Sequence, residues 1–222
     1  MTNLEDALSA VEAGADAVGF VFYEKSSRCV STETARQIVQ ELPKEIEKVG
    51  VFVNQAENTL CELAERTGLT AIQMHGDHED PRVADMVKER RPELKVLAAI
   101  SMVRENPDGW AMRWRPDVVH AFLIDSGNGS KLGGTGKTFD WRTSEPILKN
   151  IKARGNVVAA GGLTPDNVST ALGILKPWGV DVVSGVEARP GKKDPEKVRA
   201  FVRAVREQIG RRTRDGYGSS EF

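Results

Sequence analysis

The sequence predicts an α/β protein, a (β/α)8 TIM barrel whose first β-strand is missing from this chain. Apolar runs alternate with amphipathic segments along most of the 222 residues, which is typical of a parallel sheet covered by helices. Asp125 ends one apolar run and begins a glycine-rich loop, and two further glycine-rich turns follow the last two predicted strands. In a barrel of this kind, the loops after the strands carry catalytic and phosphate-binding groups.

The periodicity of the apolar residues predicts seven strands and seven main helices. The strands span residues 15–22, 48–53, 69–74, 95–100, 118–124, 156–160 and 179–184. After a first helix, the others span residues 31–42, 57–67, 81–91, 142–153, 165–175 and 195–209, and a short tryptophan-containing segment follows the fourth strand. Thr2 is the predicted N-cap of the first helix, in a capping-box pattern, and Gly14 ends that helix. Pro43 and Gly68 end the next two helices.

The strand count is one short of a closed barrel, and the chain begins with a helix where a βα barrel begins with a strand. Both facts indicate that the missing strand belongs at the N-terminus. The alternative fold is an open, doubly wound sheet. Residues 1–210 are predicted to form a single domain, and the polar, glycine-rich residues 211–222 are predicted to form a disordered tail.

The composition argues against several classes of protein. Lys and Arg total 31 and Asp and Glu total 32, for a net charge of −1, which gives no electrostatic case for binding nucleic acid or an anionic membrane. Cys29 and Cys61 are too few for a disulfide framework and lack the spacing of metal ligands. The sequence has no apolar run of transmembrane length and no signal-peptide pattern. We therefore expect a cytoplasmic protein without a metal site.

Several candidate site residues follow predicted strands. Asp125 is the main one, and the turns Gly161-Gly162 and Ser184-Gly185 are candidate phosphate sites. The alternative for Gly161-Gly162 is that these glycines only permit a tight turn. The loop after Asp125 ends in Gly-Lys-Thr, but Lys131 occupies the position where a phosphate-binding P-loop needs glycine, which argues against a nucleotide triphosphatase.

Arg28 and His75 also follow predicted strands. Arg28 is suited to a two-pronged bond with a substrate carboxylate, although from its position alone a solvated loop residue is the simpler interpretation. His75 is a candidate substrate contact or acid–base group, or a structural histidine. His78, before a helix, and His120, in mid-strand, are weaker candidates. Cys29 is a candidate nucleophile or base only if its thiolate is stabilised.

A set of short sequence patterns runs from residue 2 to about residue 210, in segments 2–7, 14–22, 26–28, 49–54, 73–76, 133–141, 160–168 and 184–187. Taken together, these segments resemble the phosphoribosylanthranilate isomerase family of tryptophan biosynthesis. The resemblance implies an Amadori rearrangement of N-(5-phosphoribosyl)anthranilate without a metal or organic cofactor. It implies that Asp125 is the general acid, that Arg28 holds the anthranilate carboxylate, and that the two glycine turns bind the phosphate.

The chain departs from the family pattern at its beginning. The family opens with a strand that ends in Cys-Gly, followed by an apolar residue and Thr-Asn, and that cysteine is the general base. Met1 matches the apolar residue of this pattern, so the cysteine would precede Met1 by two positions. Either Met1 is an internal methionine of a longer protein, which we favour, or the chain is a truncated, inactive relative. Because a missing central strand exposes two strand edges, we expect the chain as given to fold poorly or dimerise, so that the protein is a monomer or a homodimer.

Two alternative functions stay open at this point. The first is another barrel enzyme with a phosphorylated substrate, such as indole-glycerol-phosphate synthase. That family would need a lysine as general acid at a strand end, whereas the main strand ends of this sequence carry Asp125 and His75. A barrel that binds a sugar phosphate without turning it over is favoured by the absence of the family's cysteine from this sequence.

Overall fold

The structure, a computed structural model, describes residues 1–76, 80–127 and 138–214. Its main sheet has seven strands that pair in parallel in strict chain order. They are β1 (Ala17–Val21), β2 (Glu47–Val53), β3 (Ala71–His75), β4 (Lys95–Ser101), β5 (Ala121–Asp125), β6 (Asn156–Ala159) and β7 (Gly179–Val180). A doubly wound sheet reverses its strand order at a switch point, and this sheet does not. The TIM-barrel prediction is therefore confirmed, with a strand count one short of eight, and the open-sheet alternative is wrong.

Helices cover the outer face of the sheet. They are α1 (Leu4–Glu12), α2 (Thr32–Glu41), α3 (Glu57–Thr67), α4 (Pro81–Arg90), α5 (Pro107–Met112), α6 (Glu145–Lys152), α7 (Val168–Leu175) and α8 (Pro195–Arg214). The first helix, α1, packs against both α8 and α2. It therefore spans the helical layer between β7 and β1, the two strands that end the sheet within the described residues. After β7, a short hairpin of β8 (Glu187–Arg189) and β9 (Lys192–Lys193) precedes α8.

Several predicted boundaries need correction. The N-cap of α1 is Asn3, whose side chain accepts a bond from the Asp6 backbone N–H at 2.9 Å, while the predicted cap, Thr2, donates to the Gly191 carbonyl. β5 begins at Ala121, so His120 precedes the strand and does not lie within it. Helix α8 continues to Arg214, beyond the predicted domain boundary at residue 210. The rest of the predicted tail, residues 215–222, lies outside the described residues.

Other strand and helix ends also shift. β7 stops at Val180 although the prediction extended that strand to residue 184. Helix α7 begins at Val168 and not at residue 165, because the Asn167 side chain accepts a bond from the Thr164 N–H at 2.8 Å and forms a turn before the helix. The helix predicted from residue 142 begins at Glu145.

Successive side chains of β5 point alternately toward the barrel interior and toward the helices. All five residues are buried. Ala121 and Leu123 pack in a small cluster with residues of β4 and β6, whereas Phe122 and Ile124 belong to the large core shared with the helices. Because successive side chains of a strand point to opposite faces, Asp125 shares the inner face with Ala121 and Leu123.

None of the helices in the described ranges has the length and apolar character that crossing a lipid bilayer requires.

The buried Asp6 carboxylate connects α1 to the hairpin near the end of the chain. It accepts bonds from Lys192 Nζ at 2.6 Å, from the Lys193 backbone N–H at 2.7 Å and from the Asn3 side chain at 3.0 Å. Burial alone would raise the pKa of Asp6, but these bonds and the charge of Lys192 outweigh burial and lower the pKa below its ordinary value of 3.8. The ionised carboxylate therefore stabilises the fold.

We expect Asp6→Asn to reduce the free energy of unfolding at pH 7 by about 2–3 kcal/mol, because charge-assisted bonds at a buried site are lost. The lowered pKa means that this contribution is fully present above the unfolded-state pKa and is lost as the pH falls through the folded-state pKa. Denaturant titrations of both proteins from pH 7 to pH 3 should show the difference shrinking in acid. Glu5→Gln is the control, since Glu5 contacts the same Lys192 Nζ at 2.8 Å from an 81% exposed side chain. A Glu5→Gln loss equal to that of Asp6→Asn would contradict this assignment.

Candidate active site

The candidate site lies where the strands of the sheet end at their C-terminal side. Asp125 is the last residue of β5 and is 7% exposed. Its carboxylate oxygen Oδ1 accepts a bond from the Gly127 N–H at 3.1 Å. The Asp125 backbone carbonyl accepts a bond from the Met102 N–H at 2.8 Å, which attaches the end of β5 to the segment after β4. A carboxyl group is thus held at the mouth of the barrel, on the inner face of a buried strand.

The turn at Gly161-Gly162 packs directly against this carboxyl group. Gly161 has φ +79° and Gly162 has φ +68°, in the left-handed region that favours glycine. A Cβ on Gly161 would lie 2.5 Å from Asp125 Oδ1 and 2.4 Å from the Ser126 backbone nitrogen. The glycines do permit a tight turn, and the absence of a side chain at Gly161 also leaves the room that Asp125 occupies.

The second predicted phosphate turn contacts the first. Ser184 and Gly185 lie in a single 3-10 turn, Ser184–Val186. A Cβ on Gly185 would lie 1.9 Å from the Leu163 carbonyl oxygen, so the backbones of the two turns touch there. The structure therefore brings the two predicted phosphate turns together, although the sequence separates them by more than twenty residues.

Arg28 lies in the loop after β1 and forms a two-pronged ion pair with Glu187. Its Nε donates to Glu187 Oε1 at 2.9 Å, and its Nη2 donates to Oε2 at 2.7 Å. The Arg28 side chain is 21% exposed and that of Glu187 is 5% exposed. The interpretation of Arg28 as a solvated loop residue is therefore wrong.

His75 is the last residue of β3 and is half-buried. Its Nδ1 lies 3.4 Å from Gln73 Nε2, and its carbonyl accepts a bond from the Asn54 N–H at 3.3 Å. His75 therefore lies at the same edge of the sheet as Asp125, two strands away in the strand order.

Two charged residues near the site were not predicted. Asp181 follows β7, and its N–H donates to the Ala159 carbonyl at 2.9 Å. Burial raises the pKa of the Asp181 carboxyl, the nearby Asp125 adds to the rise, and Lys193 opposes it. Burial also lowers the pKa of the Lys193 ammonium, against the opposing charges of Glu187 and Asp181. Asp181 could have been found in the sequence as a carboxylate inside an apolar run. The predicted strand over residues 179–184 instead placed Asp181 within the sheet and not at the end of a strand.

The remaining candidates lie outside this group. Cys29 is exposed, with its Sγ 3.9 Å from the Val30 carbonyl, and Cys61 is buried in α3, where burial raises its pKa. His120 lies at the opposite, N-terminal end of β5. His78 and most of the glycine-rich loop, residues 128–137, lie outside the described residues. Across residues 1–76, 80–127 and 138–214, no group of three or more His, Cys, Asp or Glu side chains is placed to hold a metal ion.

Comparison with known proteins shows the family of this chain. The family described as N-(5'phosphoribosyl)anthranilate (PRA) isomerase matches residues 1–204. The isomerase of Pelobacter propionicus is 44% identical over 214 residues, which cover 96% of each chain. This match decides against the indole-glycerol-phosphate synthase alternative.

Solved structures agree with the sequence comparison. The crystal structure of phosphoribosyl anthranilate isomerase from Thermotoga maritima has a TM-score of 0.83 and 40% identity, covering 93% of this chain and 96% of that chain. A structure of such an isomerase in complex with reduced 1-(o-carboxyphenylamino)-1-deoxyribulose 5-phosphate has a TM-score of 0.80 and 39% identity, covering 93% of this chain and 95% of that one. The barrel described above thus belongs to the N-(5'-phosphoribosyl)anthranilate isomerase family, the isomerases of tryptophan biosynthesis.

Proposed function

We propose that this site carries out the family's reaction with Asp125 as the general acid. The reaction converts N-(5-phosphoribosyl)anthranilate to 1-(2-carboxyphenylamino)-1-deoxyribulose 5-phosphate. The observation that carries the assignment is the position of Asp125: it is buried, faces the barrel interior and lies at the end of β5 beside Gly161. In barrel enzymes, catalytic groups come from strand ends at this face. A relative of known structure binds the reduced form of the product.

In the proposed first step, the Asp125 carboxyl donates its proton to the furanose ring oxygen. The bond from that oxygen to C1 breaks, the oxygen becomes the C4 hydroxyl, and the nitrogen lone pair forms a C1–N double bond. A base then removes the proton from C2, and the resulting enol rearranges to the 2-ketone while C1 gains a proton. The bond to Gly127 and the contact with Gly161 hold the carboxyl in one place for the first transfer, which is what an efficient proton donor requires.

Arg28 is the proposed partner of the anthranilate carboxylate. Its bonds to Glu187 use the Nε and Nη2 atoms, and a guanidinium group has a second edge, formed by Nη1 and Nη2, that can bind another carboxylate. His75, at the same edge of the sheet, is a proposed substrate contact.

The two glycine turns are the proposed phosphate site. The turns at Gly161-Gly162 and Ser184-Gly185 are in contact, and backbone N–H groups of such turns after the last two strands bind phosphate in many barrels. The 3-10 turn Ser184–Val186 adds a hydroxyl from Ser184. No metal or organic cofactor is part of this proposal.

The proposed general base is a cysteine two positions before Met1 in the family pattern. The Met1 nitrogen donates to the Gly19 carbonyl, so Met1 lies beside β1 at the open side of the sheet. A strand that leads into Met1 would lie next to β1, and its final cysteine would lie at the barrel mouth.

We also propose that the protein acts in the cytoplasm as a monomer or homodimer, with residues 1–214, to the end of α8, as its single domain. One solved relative, from Thermotoga maritima, is described as monomers generated from a dimeric isomerase. This supports both states for the present barrel.

Turnover of phosphoribosylanthranilate tests the proposed function. Two proteins are compared, this chain and the same chain preceded by a strand that ends in Cys-Gly before Met1. We expect the extended protein to turn over and the shorter one to be slower by about 10²-fold or more, since general base catalysis contributes that much. If the extended protein is folded but inactive, the alternative function, binding of a sugar phosphate without turnover, would be favoured.

In the extended protein, Asp125→Asn should lower kcat by about 10²–10⁴-fold, because the amide cannot donate the proton to the ring oxygen. Product formation is followed at saturating substrate. The matched change Asp140→Asn, in an exposed carboxylate that accepts bonds from the Arg142 and Thr143 N–H groups, should leave kcat unchanged. Near-normal turnover by Asp125→Asn would remove Asp125 from the role of acid.

Gly161→Ala should lower kcat by about 10²-fold through displacement of Asp125, because its Cβ would meet Oδ1 at 2.5 Å. The control is Gly173→Ala in α7, where a Cβ meets nothing within 4 Å. Since alanine is favoured over glycine within helices, this control should gain about 0.5–1 kcal/mol of stability at unchanged kcat. Equal kcat values for both variants would show that the turn does not hold the acid.

A further inference from the structure

The Glu187 carboxylate is fixed from several sides. Besides its two bonds from Arg28, Oε1 accepts a bond from the Gly191 N–H at 3.2 Å and lies 3.8 Å from Lys193 Nζ. Lys193 Nζ in turn donates to the Val183 carbonyl at 3.0 Å. Burial opposes ionisation of Glu187, but the Arg28 bonds and the Lys193 charge outweigh burial, so its pKa lies below the ordinary value. Glu187 is therefore an ionised, immobile group within the fold.

Arg28, by contrast, lies on a loop and has a long side chain. The described bonds of its guanidinium group both go to Glu187. Two parallel N–H···O bonds fix the plane of a guanidinium group as well as its position. Because Glu187 occupies the Nε–Nη2 edge, the edge formed by Nη1 and Nη2 is the one left to receive a carboxylate in the same plane.

We infer that Glu187 is a positioning residue, which orients Arg28 so that the second edge of its guanidinium group meets the carboxylate of the substrate. This inference rests on the proposed function, in which Arg28 binds that carboxylate. Glu187 also follows directly after the turn Ser184–Val186. The same short segment therefore sets the place of the phosphate turn and, through Arg28, the place of the carboxylate site. Glu187 in this way selects ligands that carry both anions at one separation.

Ligand binding by the full chain tests this inference without need for turnover. The probes are reduced 1-(2-carboxyphenylamino)-1-deoxyribulose 5-phosphate and the same compound without its carboxyl group, each titrated by calorimetry. In Glu187→Gln the new amide places an NH2 group against an Arg28 donor. We expect the carboxylated probe to bind about 10- to 100-fold more weakly, as for a lost charge-assisted bond, and the probe without the carboxyl group to bind as it does to the wild type.

Two further variants separate positioning from a general structural effect. Glu187→Asp keeps the charge but shortens the side chain by one methylene, so it should fold and still lose part of the preference for the carboxylated probe. Glu33→Gln is the matched control, because Glu33 forms the same two-pronged pair with Arg36, at 3.1 and 2.8 Å, with side chains 59% and 41% exposed. It should change the affinity for neither probe.

The outcomes are distinguishable. Unchanged binding of the carboxylated probe by folded Glu187→Gln and Glu187→Asp, or an equal loss for both probes, would overturn the positioning role while leaving the proposed function intact. A wild-type protein that binds both probes equally would show that no carboxylate contact exists, and one that binds neither would contradict the proposed substrate. In either of those cases the inference about Glu187 falls together with the proposed function.

Discussion

The attachment of the β8–β9 hairpin to the beginning of the chain is the interaction on which the site depends. Asp6, in α1, binds both the side chain of Lys192 and the backbone of Lys193. Lys193 then lies beside Glu187, and Glu187 holds Arg28. A connected series of charged residues thus runs from the first helix to the loop after β1, and Lys193 joins its two parts through its backbone N–H on one side and its ammonium group on the other. Because the central members of this series are shielded from water, removing one charge would leave its neighbour unpaired and would destabilise the fold.

The proposed site combines two ways of holding an anion. The glycine turns offer backbone groups whose place is set by the close contact of one turn with the other. Arg28 instead offers a side chain, whose place is set by the carboxylate that it binds. Asp125 lies against the first of these turns, so the proposed proton donor and the proposed phosphate site are in direct contact. This arrangement suits a reaction in which a small, doubly anionic substrate must stay in one orientation while protons move.

Local signals in the sequence were sufficient for most of the fold and for part of the site. Helix α3 was predicted with its observed bounds, because Gly68 marks its end with a left-handed conformation. Asp125 was found because it directly follows an apolar run. Thr2 and Asn3 are both able to cap a helix, and the choice of Asn3 depends on the bond of Thr2 to distant Gly191. The pairing of Arg28 with Glu187 and the raised pKa of Asp181 depend on contacts across the barrel, which no local pattern encodes.

The contacts that complete the site join parts of the chain that are far apart in sequence. Arg28 and Glu187 are separated by 159 positions, and Asp6 and Lys192 by 186. Closing loops of this length has an entropic cost that must be met before the contact forms. The sheet between them brings the members of each pair close together and so offsets that cost. Occupation of the proposed carboxylate site by a ligand would therefore report that segments near residue 6 and near residue 190 are both in place.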